Sequence, residues 1–154
     1  MERQRRIFWA GFIVYRLSFF FISAGAITNG PRRGTAPFVG FFSASFALIY
    51  PWVEARDVLL HNVPPLFGPV AYVSLLVSGL INPIFLGWVF LGLTELSKRF
   101  RSVLKFGVVA MIPFSWVFIF YGLHTHPREG HVLWIGGMLL AMFSDRLVSA
   151  TETA

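Results

Sequence analysis

Residues 68–94 form one apolar stretch, GPVAYVSLLVSGLINPIFLGWVFLGLT, that contains no charged side chain. The hydrocarbon core of a bilayer is about 30 Å thick, and a helix needs roughly 20 apolar residues to cross it. This stretch is long enough to cross with room for a tilt or a kink. We therefore predict a transmembrane helix at the centre of the chain.

The rest of the chain is also rich in apolar segments. It is 56% hydrophobic and only 13% charged, whereas a soluble domain is about 25% charged. Four further candidate spans are residues 7–28, 37–53, 106–123 and 131–148. None alternates apolar and polar residues as barrel strands do, and only helices or closed barrels satisfy backbone groups in lipid. We predict an all-α, polytopic bundle of four to five transmembrane helices, with residues 1–154 as a single integral membrane domain of the cell membrane.

The first segment has the order of a secretory signal: basic MERQRR, an apolar run, and the small residues Ala24-Gly25-Ala26. Arg16 interrupts the apolar run, and the segment is long enough to span a membrane. We expect it to remain in the protein as a first helix. That helix is predicted to end at Asn29-Gly30-Pro31, because Pro cannot continue a helix.

Segment 37–53 is short for a full crossing and leaves two topologies open. If it is re-entrant or interfacial, four helices span the membrane and both termini are cytoplasmic. If it crosses, five helices span and the N-terminus lies outside. The positive-inside rule favours four spans, because the dense basic clusters Arg3/Arg5/Arg6 and Lys98/Arg99/Arg101/Lys105 are then both cytoplasmic. Residues 53–65 are predicted to form a water-facing loop that contains one short helical turn.

The charge balance indicates a lipid partner rather than nucleic acid. The chain has 13 Lys and Arg residues against 7 Asp and Glu residues, a formal net charge of +6. These basic residues flank apolar segments, where they set orientation and contact anionic lipids. There is no cysteine, which excludes disulfides, thiolate nucleophiles and Cys-ligated metal sites. We expect no nucleic-acid partner and no cofactor.

Asn82 and Pro83 lie near the middle of the central stretch. Proline removes a backbone donor and disfavours helical geometry at the residue before it, so we predict a kink there. The alternative is two half-helices that meet at Asn82, which is how transporters build binding sites at membrane depth. Asn82 is therefore a candidate ligand-binding residue.

Arg16 is the second candidate ligand-binding residue. It lies about ten residues into the first segment, where a charge at the bilayer centre costs about 2.5–3.5 kcal/mol even on generous insertion scales. Such a charge usually faces the bundle interior or a wet cavity. It either contacts an anion or substrate, or forms a structural ion pair, or reaches to the interface along its own aliphatic stem.

Three histidines, His124, His126 and His131, are close together in the sequence LHTHPREGH. Imidazoles at this spacing on a loop can reach one Zn²⁺ or Cu²⁺ ion, so they are candidate metal ligands. In a second interpretation His61 and one of these residues are axial ligands of a haem. In the simplest interpretation they are solvated loop residues.

The function is predicted from helix packing and from the motifs that the sequence lacks. Gly40/Ala44 and Gly137/Ala141 have the small-xxx-small spacing that lets helices approach closely. The sequence contains no HExxH, GxSxG or P-loop motif, so we predict no catalytic residue and a non-enzymatic protein. The first hypothesis is an accessory, regulatory or protective (immunity-like) component that contacts a membrane protein or a second copy of itself. The alternatives are a small carrier or channel that uses Arg16 and Asn82, and a metal- or haem-binding oxidoreductase subunit.

Overall fold

The computed structural model describes residues 2–24, 38–92, 98–145 and 147, and these ranges are predominantly helical. The predicted helical class is confirmed. A short antiparallel pair accompanies the helices, in which β1 (Ile22–Ala24) lies beside β2 (Phe38–Val39). The helices are α1 (Glu2–Ser18), α2 (Gly40–His61), α3 (Pro69–Gly79), α4 (Ile81–Gly92), α5 (Lys98–Val117) and α6 (Glu129–Met142).

Helix α1 begins and ends earlier than the sequence predicts. It starts at Glu2, whose carboxylate suits the positive end of the helix dipole, and it stops at Ser18. The Ser18 hydroxyl donates to the Tyr15 carbonyl at 2.6 Å, and the next three N–H groups bond to carbonyls three residues back. The predicted continuation of the helix beyond Ser18 is wrong for residues 19–24, because the chain turns there and then pairs as β1. The predicted stop at Asn29-Gly30-Pro31 lies outside the described residues.

Helix α2 continues well past the predicted end at residue 53. It includes Pro51 and runs through the charged residues to His61. The Tyr72 hydroxyl of α3 donates to the Pro51 carbonyl at 2.8 Å. Glu54 is buried and accepts hydrogen bonds from the backbone N–H groups of Leu66 and Phe67, which hold the following loop against the helix. The predicted loop over residues 53–65 is therefore wrong up to His61, because this part continues α2 and Glu54 makes an internal polar contact. Residues 62–65 are not helical, as predicted.

The central stretch forms one long helix whose hydrogen-bond pattern is interrupted at Leu80. Helix α3 ends at Gly79, and α4 starts at Ile81. Pro83 explains this position, because a proline ring clashes with the carbonyl four residues earlier and leaves it without a donor. That carbonyl belongs to Gly79. Pro83 itself lies in the first turn of α4, where a missing N–H is best tolerated.

Two helices in the described ranges are long and apolar enough to cross a membrane. They are Pro69–Leu91, which comprises α3 and most of α4, and Arg99–Gly122, which comprises most of α5 and a π-helical turn at Phe118–Gly122. Helix α6 is apolar but shorter. By length and composition, these two helices could cross a membrane.

Helices α1 and α6 form the most extensive helix pair in the described part of the chain. They meet at Gly11 and Gly137, where neither glycine has room for a Cβ, and Ala141 lies in the same contact. This confirms the predicted packing role of Gly137 and Ala141. The contacts of Gly40 lie outside what the structure describes.

The buried apolar residues form two clusters. The larger one joins α1, α4, α5 and α6 around Tyr15, Phe85 and Met138. The smaller one joins α3 and the π-helical turn around Leu75 and Phe118. Residues from both clusters line a cavity between the helices.

Candidate functional site

The cavity has a volume of about 80 Å³ and lies among α1, α2, the α3–α4 break, the end of α5 and the start of α6. Its lining combines several hydroxyl groups, one amide and one imidazole with aromatic and aliphatic side chains. None of the described residues that line it is charged. The lining residues are Ser18, Phe19, Ser43, Ala44, Phe46, Ala47, Ser78, Asn82, Ser115, Phe118, Ile119, Leu123, Gly130, His131 and Trp134.

Asn82 is the centre of the polar part of the cavity. Its Oδ1 atom accepts hydrogen bonds from the Tyr15 hydroxyl at 3.1 Å and from the Trp134 indole N–H at 2.8 Å. An indole N–H can only donate, so the atom facing Trp134 is the amide oxygen and the orientation of the amide is fixed. The amide Nδ2 group makes no hydrogen bond to a residue that the structure describes. Its two N–H donors are therefore available.

Asn82 is the second residue of α4, directly after the interruption at Leu80. A single polar side chain then links three helices, because Tyr15 belongs to α1 and Trp134 to α6. Polar side chains inside apolar helices usually face the interior of the bundle for this reason.

Ser115 and His131 form the second polar pair. The Ser115 hydroxyl lies 2.7 Å from the Ile112 carbonyl and 3.3 Å from Nε2 of His131. We assign the hydroxyl proton to the shorter bond, because a carbonyl can only accept. Ser115 Oγ then accepts from His131 Nε2–H, and Nδ1 of this neutral imidazole remains as an acceptor. Both side chains are buried.

The remaining lining residues complete a mostly apolar wall. Ser18 and Ser78 donate to backbone carbonyls within their own helices, at 2.6 Å and 2.9 Å. These bonds use the hydroxyl protons, so each oxygen can take part in a further hydrogen bond only as an acceptor. The ring of His131 packs against Trp134 at a centroid distance of 5.3 Å and against Trp116 at 5.8 Å.

The two predicted ligand-binding residues do not lie in the same site. Asn82 lines the cavity. Arg16 is exposed in the last turn of α1, outside the cavity, and it forms no ion pair with a described residue. Because α1 stops at Ser18, Arg16 lies at a helix end rather than in the middle of a span. At that position the positive charge of Arg16 interacts favourably with the negative, C-terminal end of the helix dipole.

The three predicted metal ligands are not brought together. His131 is buried against Ser115, whereas His124 and His126 are exposed. In the described ranges no three His, Asp or Glu side chains are grouped to hold a metal ion. His61, the alternative haem ligand, is exposed at the end of α2.

Glu129 begins α6 next to the cavity residues Gly130 and His131. Hydrogen bonding with its own backbone N–H lowers the pKa of the Glu129 carboxyl below its usual value, and the neighbouring Arg128 lowers it further. Arg128 Nε lies 3.2 Å from Glu129 Oε2. The pair is exposed, so it adds little to stability.

Comparison with protein families, with curated proteins and with solved structures finds no match. The function of this chain must therefore be argued from its own geometry.

Sequence reasoning missed most of the cavity. Tyr15, Trp134 and the serines are not among the candidate site residues that the sequence indicates. A usable signal was present, because Ser18, Ser78 and Ser115 each interrupt an apolar helix. Polar residues at such positions tend to face a bundle interior. What they face together could not be read from their spacing.

Proposed function

We propose that this chain is a multi-pass integral membrane protein that works without catalysis, as an accessory, regulatory or protective component that contacts another helix in the bilayer. One observation carries the membrane part. The helix Arg99–Gly122 is apolar, yet only 22% of its most apolar window is buried inside the protein. The core helix of a soluble protein would be mostly buried. Lipid is the solvent that suits an apolar helix with this much exposed surface.

The outer surface supports the same proposal. Large apolar side chains are exposed on several helices, among them Phe106 with 76% of its surface exposed and Leu59 with 78%. The polar groups of Asn82, Ser115 and Ser78 are directed inward. This arrangement is unfavourable in water and favourable in a bilayer. Four crossings would use α1 and α6 in addition to the two long apolar helices, and five crossings would also use α2.

Three glycines favour contact with another helix. Gly87 of α4, Gly107 of α5 and Gly136 of α6 each have open space where a Cβ would lie. Small residues on lipid-facing helices let a neighbouring helix approach closely, which strengthens van der Waals contact where the hydrophobic effect does not act. The proposed partner is a transmembrane helix of another membrane protein or of a second copy of this chain.

Extraction tests the membrane part of the proposal. Membranes from cells that express the full chain are washed with alkaline carbonate and then treated with detergent. We expect the protein to stay with the membrane pellet and to enter solution only with detergent. Recovery as a monodisperse, detergent-free protein would refute the proposal.

Cross-linking in intact membranes tests the helix contact. Two tagged copies are expressed together, and the cross-linked products of the wild type are compared with those of Gly107→Leu and Gly136→Leu. Ala110→Leu, at an exposed position of α5, is the matched control. We expect a discrete product, either of two copies or with one other protein, that the glycine variants reduce and the control preserves. The same product pattern in every variant would contradict the proposed contact.

A further inference from the structure

We propose that the cavity around Asn82 and His131 is a binding site for an uncharged group that both accepts and donates hydrogen bonds, such as a carboxamide or a hydroxyl-bearing headgroup. This inference goes beyond the proposed accessory function and does not depend on it. A helical protein can hold such a ligand whatever its outer surface contacts.

The donor side of the site is the Asn82 amide. Its oxygen already accepts two hydrogen bonds, and these hold the side chain in one orientation. Its Nδ2 group has no protein partner in the described part of the chain, although Asn82 lines the cavity. Asn82 is half-buried, so a ligand atom that accepts from Nδ2 takes the place of water at these two donors.

The acceptor side is the His131 imidazole. Its Nε2–H bonds to Ser115, which leaves Nδ1 able to accept. His131 is 5% exposed, and its ring is held between two tryptophans, so it cannot turn freely towards solvent. A ligand N–H or O–H satisfies this atom. Asn82 and His131 together therefore select a group that both accepts and donates hydrogen bonds. The serine oxygens add further acceptors.

Charge and size restrict the ligand further. No described lining residue carries a charge that could pair with an ion. Because burying an unpaired ion is strongly unfavourable, the bound group is neutral. One water molecule needs about 10–15 Å³ of cavity volume. A cavity of about 80 Å³ therefore holds several waters or a group of a few non-hydrogen atoms.

The bound group has two possible sources, a small solute or the headgroup of a neutral lipid. The apolar part of the wall, which includes Phe19, Phe46 and Phe118, suits a methyl group or the start of an acyl chain. Two probes separate the sources. Acetamide represents the solute, and monoolein, with its two free hydroxyls, represents the lipid. Acetate is the charged control of the same size as acetamide.

The experiment follows side-chain NMR signals of the full chain in detergent micelles or nanodiscs. Asparagine and tryptophan are labelled with ¹⁵N, so the Asn82 amide and the Trp134 indole report on the cavity directly. The Asn82→Asp variant assigns the amide signals. Each probe is titrated into roughly the millimolar range, which is the affinity expected for so small a molecule.

A matched pair of variants tests the location. Ala44→Leu adds three carbons to a residue that lines the cavity, and Ala110→Leu adds the same carbons at an exposed position of α5. Asn82→Asp keeps the oxygen that accepts from Tyr15 and Trp134 but removes both free donors. Ala44→Leu is expected to abolish binding, and Asn82→Asp to weaken it about tenfold or more.

The proposal predicts saturable shifts of the Asn82 and Trp134 signals with acetamide or with monoolein, no such shifts with acetate, and unchanged binding in Ala110→Leu. Shifts with acetamide identify a solute, and shifts with monoolein alone identify a lipid headgroup. Equal shifts with acetate, binding that survives Ala44→Leu, or no shift with either neutral probe would overturn it. If Ala44→Leu does not fold, the acetamide and acetate titrations of the wild type still decide the question.

Discussion

Gly11 of α1 and Gly137 of α6 lie against each other so closely that each excludes a side chain on the other. A Cβ on Gly11 would lie 2.8 Å from the Gly137 carbonyl oxygen, and a Cβ on Gly137 would lie 2.8 Å from the Gly11 carbonyl oxygen. The two helices therefore meet backbone to backbone. This contact sets the distance between Tyr15 on α1 and Trp134 on α6, which both donate to Asn82.

Gly137→Ala should destabilise the protein by about 1–3 kcal/mol, because the added methyl group forces α1 and α6 apart. Gly136→Ala is the matched control, since a Cβ there meets nothing within 4 Å. The control should be neutral or more stable by up to about 1 kcal/mol, because alanine favours a helix over glycine. Thermal unfolding of both variants in detergent measures the difference. Equal stability would contradict the close contact.

The Tyr15–Asn82 hydrogen bond should appear as a coupling energy. In a double-mutant cycle with Tyr15→Phe and Asn82→Ala, we expect a coupling of about 0.6 kcal/mol and at most about 1.7 kcal/mol, the range found for hydrogen bonds between membrane helices. Tyr72→Phe removes a hydroxyl that bonds to Pro51 instead. The stability change caused by Tyr72→Phe should simply add to that caused by Asn82→Ala, with a coupling energy near zero. A zero coupling for Tyr15 would argue against the bond.

Glu54 should be a stabilising residue although it is charged and buried. Its Oε1 accepts two backbone N–H groups, whereas its Oε2 is buried without a partner among the described residues. Glu54→Ala is expected to cost about 1.5–3 kcal/mol, because both N–H groups lose a charged acceptor. Glu54→Gln keeps one acceptor oxygen and should cost less. The control is the half-buried Asp57, which pairs with the exposed Arg56. Asp57→Ala should change stability by no more than about 1 kcal/mol, because an ion pair with an exposed partner is weak.

The His131 ring should carry its proton on Nε2. The Ser115 hydroxyl donates its proton to the Ile112 carbonyl, so its oxygen can only accept from Nε2 of His131. Nitrogen chemical shifts of ¹⁵N-labelled histidine distinguish the two tautomers directly. Ser115→Ala should shift the ring towards a mixture, whereas Ser102→Ala, at an exposed position of α5, should leave it unchanged. A predominant Nδ1–H form in the wild type would remove the acceptor assigned to the cavity.

Much of the helical architecture could be predicted from hydrophobicity and small-residue spacing. Gly137 and Ala141 pack as their spacing indicates, because a seam of small residues works through local helix geometry. Helix boundaries were less predictable. Helix α1 ends at Ser18 because the following residues pair with Phe38 and Val39, which are distant in sequence. No local pattern contains that information.

The interruption of the central helix lies close to the Asn82-Pro83 position where a kink is predicted. Pro83 was identified as the disruptive residue, but its ring acts on the carbonyl of Gly79, four residues earlier. The helix is therefore interrupted at Leu80, and Asn82 lies inside the first turn of α4. Helix α2 was cut short for a related reason. Charged Glu54 was read as a loop residue, although its carboxylate is used internally.

The candidate site was only partly accessible from sequence. Asn82 was singled out, because an amide beside a proline in an apolar stretch is unusual. Its partners Tyr15 and Trp134 are 67 and 52 residues away, so no motif could connect them. Arg16 was expected at mid-bilayer only because α1 was predicted to continue beyond Ser18. The histidines were grouped by proximity in sequence, but burial separates His131 from the other two.

Spin-label accessibility along the exposed face of α5 tests most directly whether this helix lies in a membrane. The chain has no native cysteine, so single spin labels can be placed at Phe106, Ala110 and Phe114, which are exposed and four residues apart. With the protein in bilayers, we expect all three labels to be accessible to lipid-soluble oxygen and protected from a water-soluble nickel complex. Equal or greater access to the nickel complex at all three positions would show that this apolar face is in water and would refute a membrane location for α5.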